Sequence, residues 1–261
     1  MRVLVAGGTS TVGRFLVERL RSDGHEVDVL SRGGPVAGDV TRPETLRGVC
    51  DGRDAVVSLV GASVNPAPRF PEQTFEAVDR DGNLALLAEA ERAGVGRFVY
   101  LSVFGEYPPG VAYVEAHRAV DAALERSPLS TTSIRPTGFF GSFAALRPAA
   151  RLGLAVRIGS GECRTNPIHE ADLADVIADH LVDGPAVVDC GGPEVLTRNE
   201  IGARLGGKPV WNLPVPGALV GLSALTTRPL AKRVSDLTVF FRHVLTHDGV
   251  APAYGTRRLG P

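Results

Sequence analysis

The chain opens on a short apolar run, Arg2–Ala6, that stops at glycine, and then places Val12, Phe15, Leu16 and Leu20 on one helical face. The first segment reads as a strand and the second, Val12–Ser22, as a helix stopped by Gly24. The alternation continues. Glu26–Leu30 is a second strand and Val36–Val40 a short third. Pro43–Val49 starts with a proline suited to a helix's first turn. Asp54–Val60 is a nearly continuous apolar run, the pattern of a strand buried on both faces. Gln73–Ala93 is a long helix stopped by Gly94. Arg97–Ser102, Val114–Arg126 and Thr131–Arg135 add a strand, a helix and a strand. Such alternation over short connections predicts an α/β chain, a Rossmann-type doubly wound parallel sheet with helices on both faces.

After Pro136 the texture changes. Glu170–Val182 reads as a helix, Ala186–Asp189 as a strand, and Thr197–Leu205 as a short helix capped by threonine. From Lys208 onward the chain is punctuated by Pro and Gly and reads as mostly helical. Residues 1–140 are therefore expected to form the core, and 141–261 a small, mainly helical substrate lobe over the carboxyl edge of the sheet. A strand and helix near 170–190 are expected to return to the core.

Composition narrows the function. The 261 residues are 44% hydrophobic and 22% charged, which excludes a disordered chain. A net charge of −1 with no Lys/Arg run argues against a nucleic-acid partner. Cys50, Cys163 and Cys190 are scattered, with no CxxC, so neither a disulfide framework nor a zinc site is expected, and a reducing compartment is. No signal-peptide core is visible at the start. The apolar stretch Pro216–Leu225 is about half a membrane span. The expectation is a cytoplasmic chain with no membrane span, monomer or homodimer. One oddity matters below: the only lysines are Lys208 and Lys232.

Chemistry enters at the first turn, Ala6-Gly7-Gly8-Thr9-Ser10-Thr11-Val12-Gly13-Arg14. Small residues between a strand and a helix let backbone N–H groups approach a pyrophosphate, and the helix N-terminus favours negative charge. The second strand ends in Ser31-Arg32 rather than in an acidic residue. An acid there would bond the ribose 2′-hydroxyl of NAD; an arginine suits a 2′-phosphate, and Arg14 can add a second charge. NADP(H) is therefore the expected cofactor.

The chain strongly resembles the short-chain dehydrogenase/reductase superfamily in its atypical, NmrA-like branch. Gly7 and Gly13 match the outer glycines of that family's Gly-x-x-Gly-x-x-Gly turn, and Ser10 stands at the middle one. GDVTRPETL (38–46), RFVYLSVFG (97–105), IRPTGFF (134–140) and NPIHEADLA (166–174) are further marks, and the resemblance covers nearly the whole chain. It implies that Asp39 and Val40 flank the adenine. It also implies that Val60, Gly61 and Ala62 run along the cofactor, and that Thr137 and Gly138 lie near the nicotinamide.

The resemblance also exposes a departure. The superfamily reduces carbonyls with a Tyr-x-x-x-Lys pair on one helical face, helped by a serine after the fifth strand. Here Tyr113 matches the tyrosine, but His117 stands where lysine belongs. Ser102 falls one place early, and Val103 fills the usual serine slot. Three readings stay open. Tyr113 and His117 form a modified acid pair; or hydride comes from NADPH and the proton from solvent, substrate or His117; or redox chemistry is lost. The leading expectation is a reductase of a small, fairly apolar carbonyl or conjugated substrate. A redox-silent NADP(H)-binding regulator and a non-redox isomerase or cyclase are the alternatives.

Other chemical-looking residues read more simply. His169 and Asp172 sit at a helix start, where capping and dipole compensation explain them. His243 and His247 are four apart, but no third ligand is evident, so no metal site is expected. Ser102 lacks the Gly-x-Ser-x-Gly elbow of a hydrolase. Phe143, Leu146, Phe240 and Phe241 read as lobe core, and Phe139 and Phe140 as candidates for an apolar substrate wall.

Overall fold

Four consecutive residues of the first strand, Val3 to Ala6, are fully buried, as befits an apolar run enclosed on both faces. The elements below come from a computed structural model, which describes residues 1–62, 74–144, 152, 154–206, 211–215 and 232–260. In chain order the first are β1 (Arg2–Ala6), α1 (Thr11–Ser22), β2 (Glu26–Ser31), β3 (Val36–Ala37) and β4 (Ala55–Ser58). There follow α2 (Asn83–Arg92), β5 (Arg97–Leu101), α3 (Ala112–Leu124), β6 (Ser130–Pro136) and α4 (Phe140–Ala144). Then come β7 (Leu154–Ile158), β8 (Arg164–Thr165), α5 (Glu170–Asp179), β9 (Val187–Cys190) and β10 (Leu196–Thr197). Last are α6 (Arg198–Gly206), β11 (Trp211–Val215) and α7 (Lys232–Thr246).

The main sheet has seven strands in the order β3-β2-β1-β4-β5-β6-β9. The pairs from β3 through β6 are parallel. The Ser133 and Thr137 N–H groups bond the Ala186 and Cys190 carbonyls at 2.8 and 3.0 Å, which keeps the same sense at β9. Strand order reverses at β1, with β2 on one side and β4 on the other. In open α/β sheets the crevice beyond the carboxyl ends at such a reversal binds ligands. Leu4, Val56, Phe98, Tyr100, Leu86 and Val120 belong to the core cluster of this sheet and its helices.

Two local features differ from the pattern. Phe15 shares the apolar spacing of α1, yet it is 38% exposed, while Val12, Leu16, Val17 and Leu20 are buried. Within the expected helix over Gln73–Ala93, whose first residue lies outside the described part, Glu76–Gly82 is a π-helix that runs into α2. The Asn83 side-chain amide donates to the carbonyls of Asp79 (2.9 Å), Val78 (3.3 Å) and Val60 (3.1 Å). An amide entering the helical ladder widens it. Gly82 lets that widened turn press on Val40, whose Cγ2 would sit 2.9 Å from an added β-carbon.

The described chain divides into two compact units. The first comprises Met1–Val103, Ala112–Arg135 and Leu173–Val188; the second comprises Phe104–Val111, Pro136–Asp172 and Asp189–Pro261. The second carries short strands beside its helices among the described residues. It contains an antiparallel pair, β8 with β10, and a parallel pair, β7 with β11. Thr197 caps α6 in a reciprocal box: its Oγ1 accepts the Glu200 N–H at 3.1 Å, and Glu200 accepts the Thr197 N–H at 2.7 Å. Phe140 and Phe143 pack on a cluster of Leu196, Ile201, Leu205 and Leu259. Leu146 and Pro216–Leu225 lie outside the described residues. No described helix is long and apolar enough to cross a membrane.

Candidate functional site

At the reversal of the first unit's sheet lies an open cleft of about 320 Å³, within the usual range for small-molecule sites. Its walls come from three strand ends: Gly7, Thr9 and Ser10 after β1, Ser31 and Arg32 at β2, and Leu59, Val60 and Gly61 after β4. Asp39, Val40, Thr41 and Val78 complete it. Most of the residues expected along a nucleotide thus line one cleft. Leu59 and Val78 had no motif to mark them, because their place depends on the packing of other elements; Thr41 lies in GDVTRPETL but was not singled out there.

The turn is built for close approach. Gly7 has φ +82°, and a β-carbon on it would lie 2.8 Å from the Leu59 carbonyl oxygen. A β-carbon on Gly13 would lie 2.3 Å from the Gly7 carbonyl oxygen. Ser10 is the N-cap of α1 and accepts the Gly13 N–H at 3.0 Å. Serine at the middle of the turn therefore fastens the helix start while its own O–H stays a donor. The first turn of α1, where Thr11 and Arg14 are exposed and Val12 and Gly13 buried, holds no acidic side chain. Its positive dipole end is not offset from within the helix, which suits a phosphate. These features fit a dinucleotide pyrophosphate.

Arg32 is exposed at the far wall. Asp39 accepts the Thr41 N–H and O–H at 3.0 and 2.7 Å. Burial pushes its carboxyl pKa up, but these bonds and the charges of Arg32 and Arg42 outweigh that and hold it below the usual range. Ala62 is fixed from behind, its N–H donating to Asp79 Oδ2 at 3.0 Å.

Tyr113 and His117 are brought together on α3, their rings edge to face with centroids 4.6 Å apart. Tyr113 is half-buried and also meets Phe75 at 5.3 Å. His117 is buried, with 4% exposure. Its Nδ1 lies 2.6 Å from the Tyr100 hydroxyl, and its Nε2 lies 3.4 Å from Asp79 Oδ1. Burial, then the charges of Asp79 and Asp121, push the Tyr100 phenol well above its ordinary value. Tyr100 therefore stays protonated and donates to Nδ1, which leaves the Nε2 proton facing Asp79. Asp79 had no sequence signal, and Tyr100, though inside RFVYLSVFG, had none that paired it with His117, since both come from other elements.

The remaining candidates are engaged elsewhere. Ser102 is buried and donates to Asp121 Oδ2 at 3.1 Å; Asp121 also takes Ser133 at 2.7 Å and Arg135 at 2.9 Å. Thr137 and Gly138 belong to the second unit. There Thr137 Oγ1 donates to the Asn166 carbonyl at 2.7 Å, and the Gly138 carbonyl accepts the Ile168 N–H at 2.9 Å. His169 Nδ1 accepts the Ala171 N–H at 3.0 Å. Asp172 binds the Thr256 and Arg257 N–H groups and the Arg257 guanidinium, so it holds the C-terminal segment. His243 and His247 stack at 4.0 Å. Among the described residues no three His, Cys, Asp or Glu side chains converge as a metal site.

Comparison with known proteins bears on this geometry. The model of the NAD(P)H-binding family matches residues 7–183. The chain is 31% identical over 153 residues to the photosystem II assembly factor Ycf39 of Synechocystis sp., covering 53% of this chain and 45% of that protein. It is 31% identical over 240 residues to the chloroplastic divinyl chlorophyllide a 8-vinyl-reductase of Oryza sativa subsp. indica, covering 78% and 57%. The chain thus spans about half the length of these relatives. Its fold is that of the NADPH-dependent quinone oxidoreductase QOR2 of Escherichia coli, solved with NADPH. The TM-score is 0.73 at 17% identity, over 93% of this chain and 88% of that one. The chain belongs to the NAD(P)H-binding family, and its cofactor is NAD(P)H.

Proposed function

We propose that the chain is an NADP(H)-dependent reductase of a small, fairly apolar carbonyl or conjugated substrate, of the NmrA-like branch and in a reducing, cytoplasmic setting. One observation carries the cofactor preference: Arg32 lines the cleft at the end of β2, where an NAD site would place an acid. In this reading the N–H groups of the Gly7–Gly13 turn hold the pyrophosphate and Arg32 binds the 2′-phosphate. The bound nicotinamide supplies a hydride. Tyr113 donates the proton, and His117 positions its ring from behind while Tyr100 and Asp79 fix the histidine tautomer. Two reductases among the similar proteins support a redox role.

The test is turnover with a panel of enones, quinones and aldehydes, followed by NADPH absorbance. Tyr113→Phe is expected to lower kcat by roughly 10²-fold or more, with NADPH affinity unchanged. His117→Ala is expected to lower it as well. Full activity in both variants would remove them from proton transfer.

A second reading, a redox-silent NADP(H)-binding regulator, is favoured by a different observation. The Ser102 hydroxyl is spent on Asp121, and His117 is enclosed by Tyr100 and Asp79. One relative is named an assembly factor rather than an enzyme. NADPH binding without oxidation across the panel, together with a partner whose capture follows the NADPH/NADP ratio, would favour it.

A further inference from the structure

The polar groups behind the cleft wall are unevenly satisfied. Asn83 is complete: its Oδ1 accepts the Ser58 O–H at 2.5 Å, and its amide donates to the Val60, Val78 and Asp79 carbonyls. Asp79, fully buried on the π-helix, is not. Its Oδ2 accepts the Ala62 N–H at 3.0 Å. Its Oδ1 is shut off from water and has no hydrogen-bond partner among the described residues. The same holds for His117 Nε2, and the two atoms face each other at 3.4 Å. Gly61 of the cleft wall lies against the same oxygen, since an added β-carbon would sit 3.2 Å from Oδ1. One carboxylate therefore stands between the cleft wall and the histidine.

Hydrogen-bond chemistry accounts for an acid at this position. The Tyr100 hydroxyl, at 2.6 Å, donates to Nδ1, so Nε2 carries the ring proton. The Ala62 N–H and the His117 Nε2–H are then both donors. A carboxylate offers two acceptor oxygens, whereas an amide offers one and turns its NH2 toward the other donor. Asparagine serves at 83, where donors and an acceptor are both needed, and would fail at 79. The 3.4 Å separation lies a few tenths of an ångström beyond the usual N–H···O range. A small displacement of the Gly61–Ala62 wall makes or breaks this bond. In a buried setting a bond to a charged oxygen is among the stronger kind.

We propose that Asp79 is a positioning residue that couples the cofactor cleft to His117. A nucleotide lying along Gly61 and Ala62 seats the wall, the wall seats the carboxylate, and Oδ1 closes on the Nε2–H. His117, fixed at both nitrogens, then holds the Tyr113 ring, against which it packs at 4.6 Å. Coupling of this kind is reciprocal, so loss of the Asp79–His117 bond weakens nucleotide binding as well. The service to Tyr113 rests on the reductase reading above; the link from cleft to histidine does not.

The test uses the full chain with ¹⁵N-labelled histidine rings, titrated with NADPH to saturation. The His117 Nε2–H resonance, assigned by its disappearance in His117→Ala, is expected to move downfield and to exchange more slowly with solvent in step with occupancy. In Asp79→Asn this response is expected to be lost, with NADPH bound roughly fivefold or more weakly. The same variant is expected to lower kcat roughly tenfold or more at unchanged substrate KM. No movement in the native chain overturns the coupling. So does the same movement in Asp79→Asn, which would mean that the nicotinamide acts on the ring directly. If Asp79→Asn fails to fold, the native titration still decides. A His117 response without turnover on any substrate removes the reductase reading alone, and NADPH turnover without a His117 response removes the coupling alone.

Discussion

A methyl group at Gly13 would have to displace the backbone of Gly7, 2.3 Å from its β-carbon position. Overpacking of this kind costs about 1–3 kcal/mol, and here the atoms displaced belong to the turn proposed to hold the pyrophosphate. Gly13→Ala is therefore expected to lower the Tm by several degrees and to abolish NADPH binding by calorimetry; a variant that binds normally would show that the turn is not the pyrophosphate site. His117 makes a different kind of demand. Its removal leaves the Tyr100 hydroxyl and the Asp79 carboxylate facing a void, at a cost of about 1–3 kcal/mol. His117→Ala should show this loss in urea unfolding even if turnover is unaffected, and unchanged stability would contradict the buried Tyr100–His117–Asp79 arrangement. Both glycines and the Tyr113/His117 spacing were legible in the sequence, because a turn and an i, i+4 pair are local. Asp79 and Tyr100 were not, since they meet His117 only after α3, β5 and the π-helix pack.

Among the elements, α2 shows how a charged residue fastens a helix to its neighbour. Glu89 accepts the Gly48 N–H at 2.7 Å and pairs with the Arg92 guanidinium at 2.7 Å. The Arg92 bond, opposed by burial and aided by the Gly48 N–H, holds the Glu89 carboxyl below the usual range. A depressed carboxylate adds stability above its unfolded pKa of about 4.3, and that stability is lost as pH falls through the lower value in the folded state. Glu89→Gln should accordingly melt below the native chain at pH 7, with the gap closing below about pH 4. A gap that persists at acid pH would mean that packing, not ionisation, is what the substitution removes. The existence of α2 was legible from its apolar spacing and Gly94. The π-helix before it was not, because it arises where the Asn83 amide bonds carbonyls of its own helix and of β4's end.

For the molecule as a whole, the parallel sheet was readable because β1, β4 and β5 are local apolar runs and strand and helix patterns alternate over short connections. The excursion of Phe104–Val111 into the second unit was hidden, since no local pattern sets it apart from the segments around it. So were the small sheets of the second unit. Trp211–Val215 pairs in parallel with Leu154–Ile158, more than fifty positions away, and such pairing leaves no periodicity to read. Function follows from the first unit's cleft. A ligand that binds only the folded chain stabilises it by about 2.7 kcal/mol at a hundred times its Kd. NADPH should therefore raise the Tm in a concentration-dependent way, and a flat response would mean that the cleft takes no NADPH. The most direct measurement is calorimetric titration of the chain and of Arg32→Ala with NADPH and, separately, with NADH. Arg32 at the cleft wall leads to tight NADPH binding, weaker NADH binding, and a loss of roughly tenfold or more for NADPH alone in the variant. Equal affinity for the two cofactors, or equal loss of both in the variant, would contradict a 2′-phosphate site at Arg32.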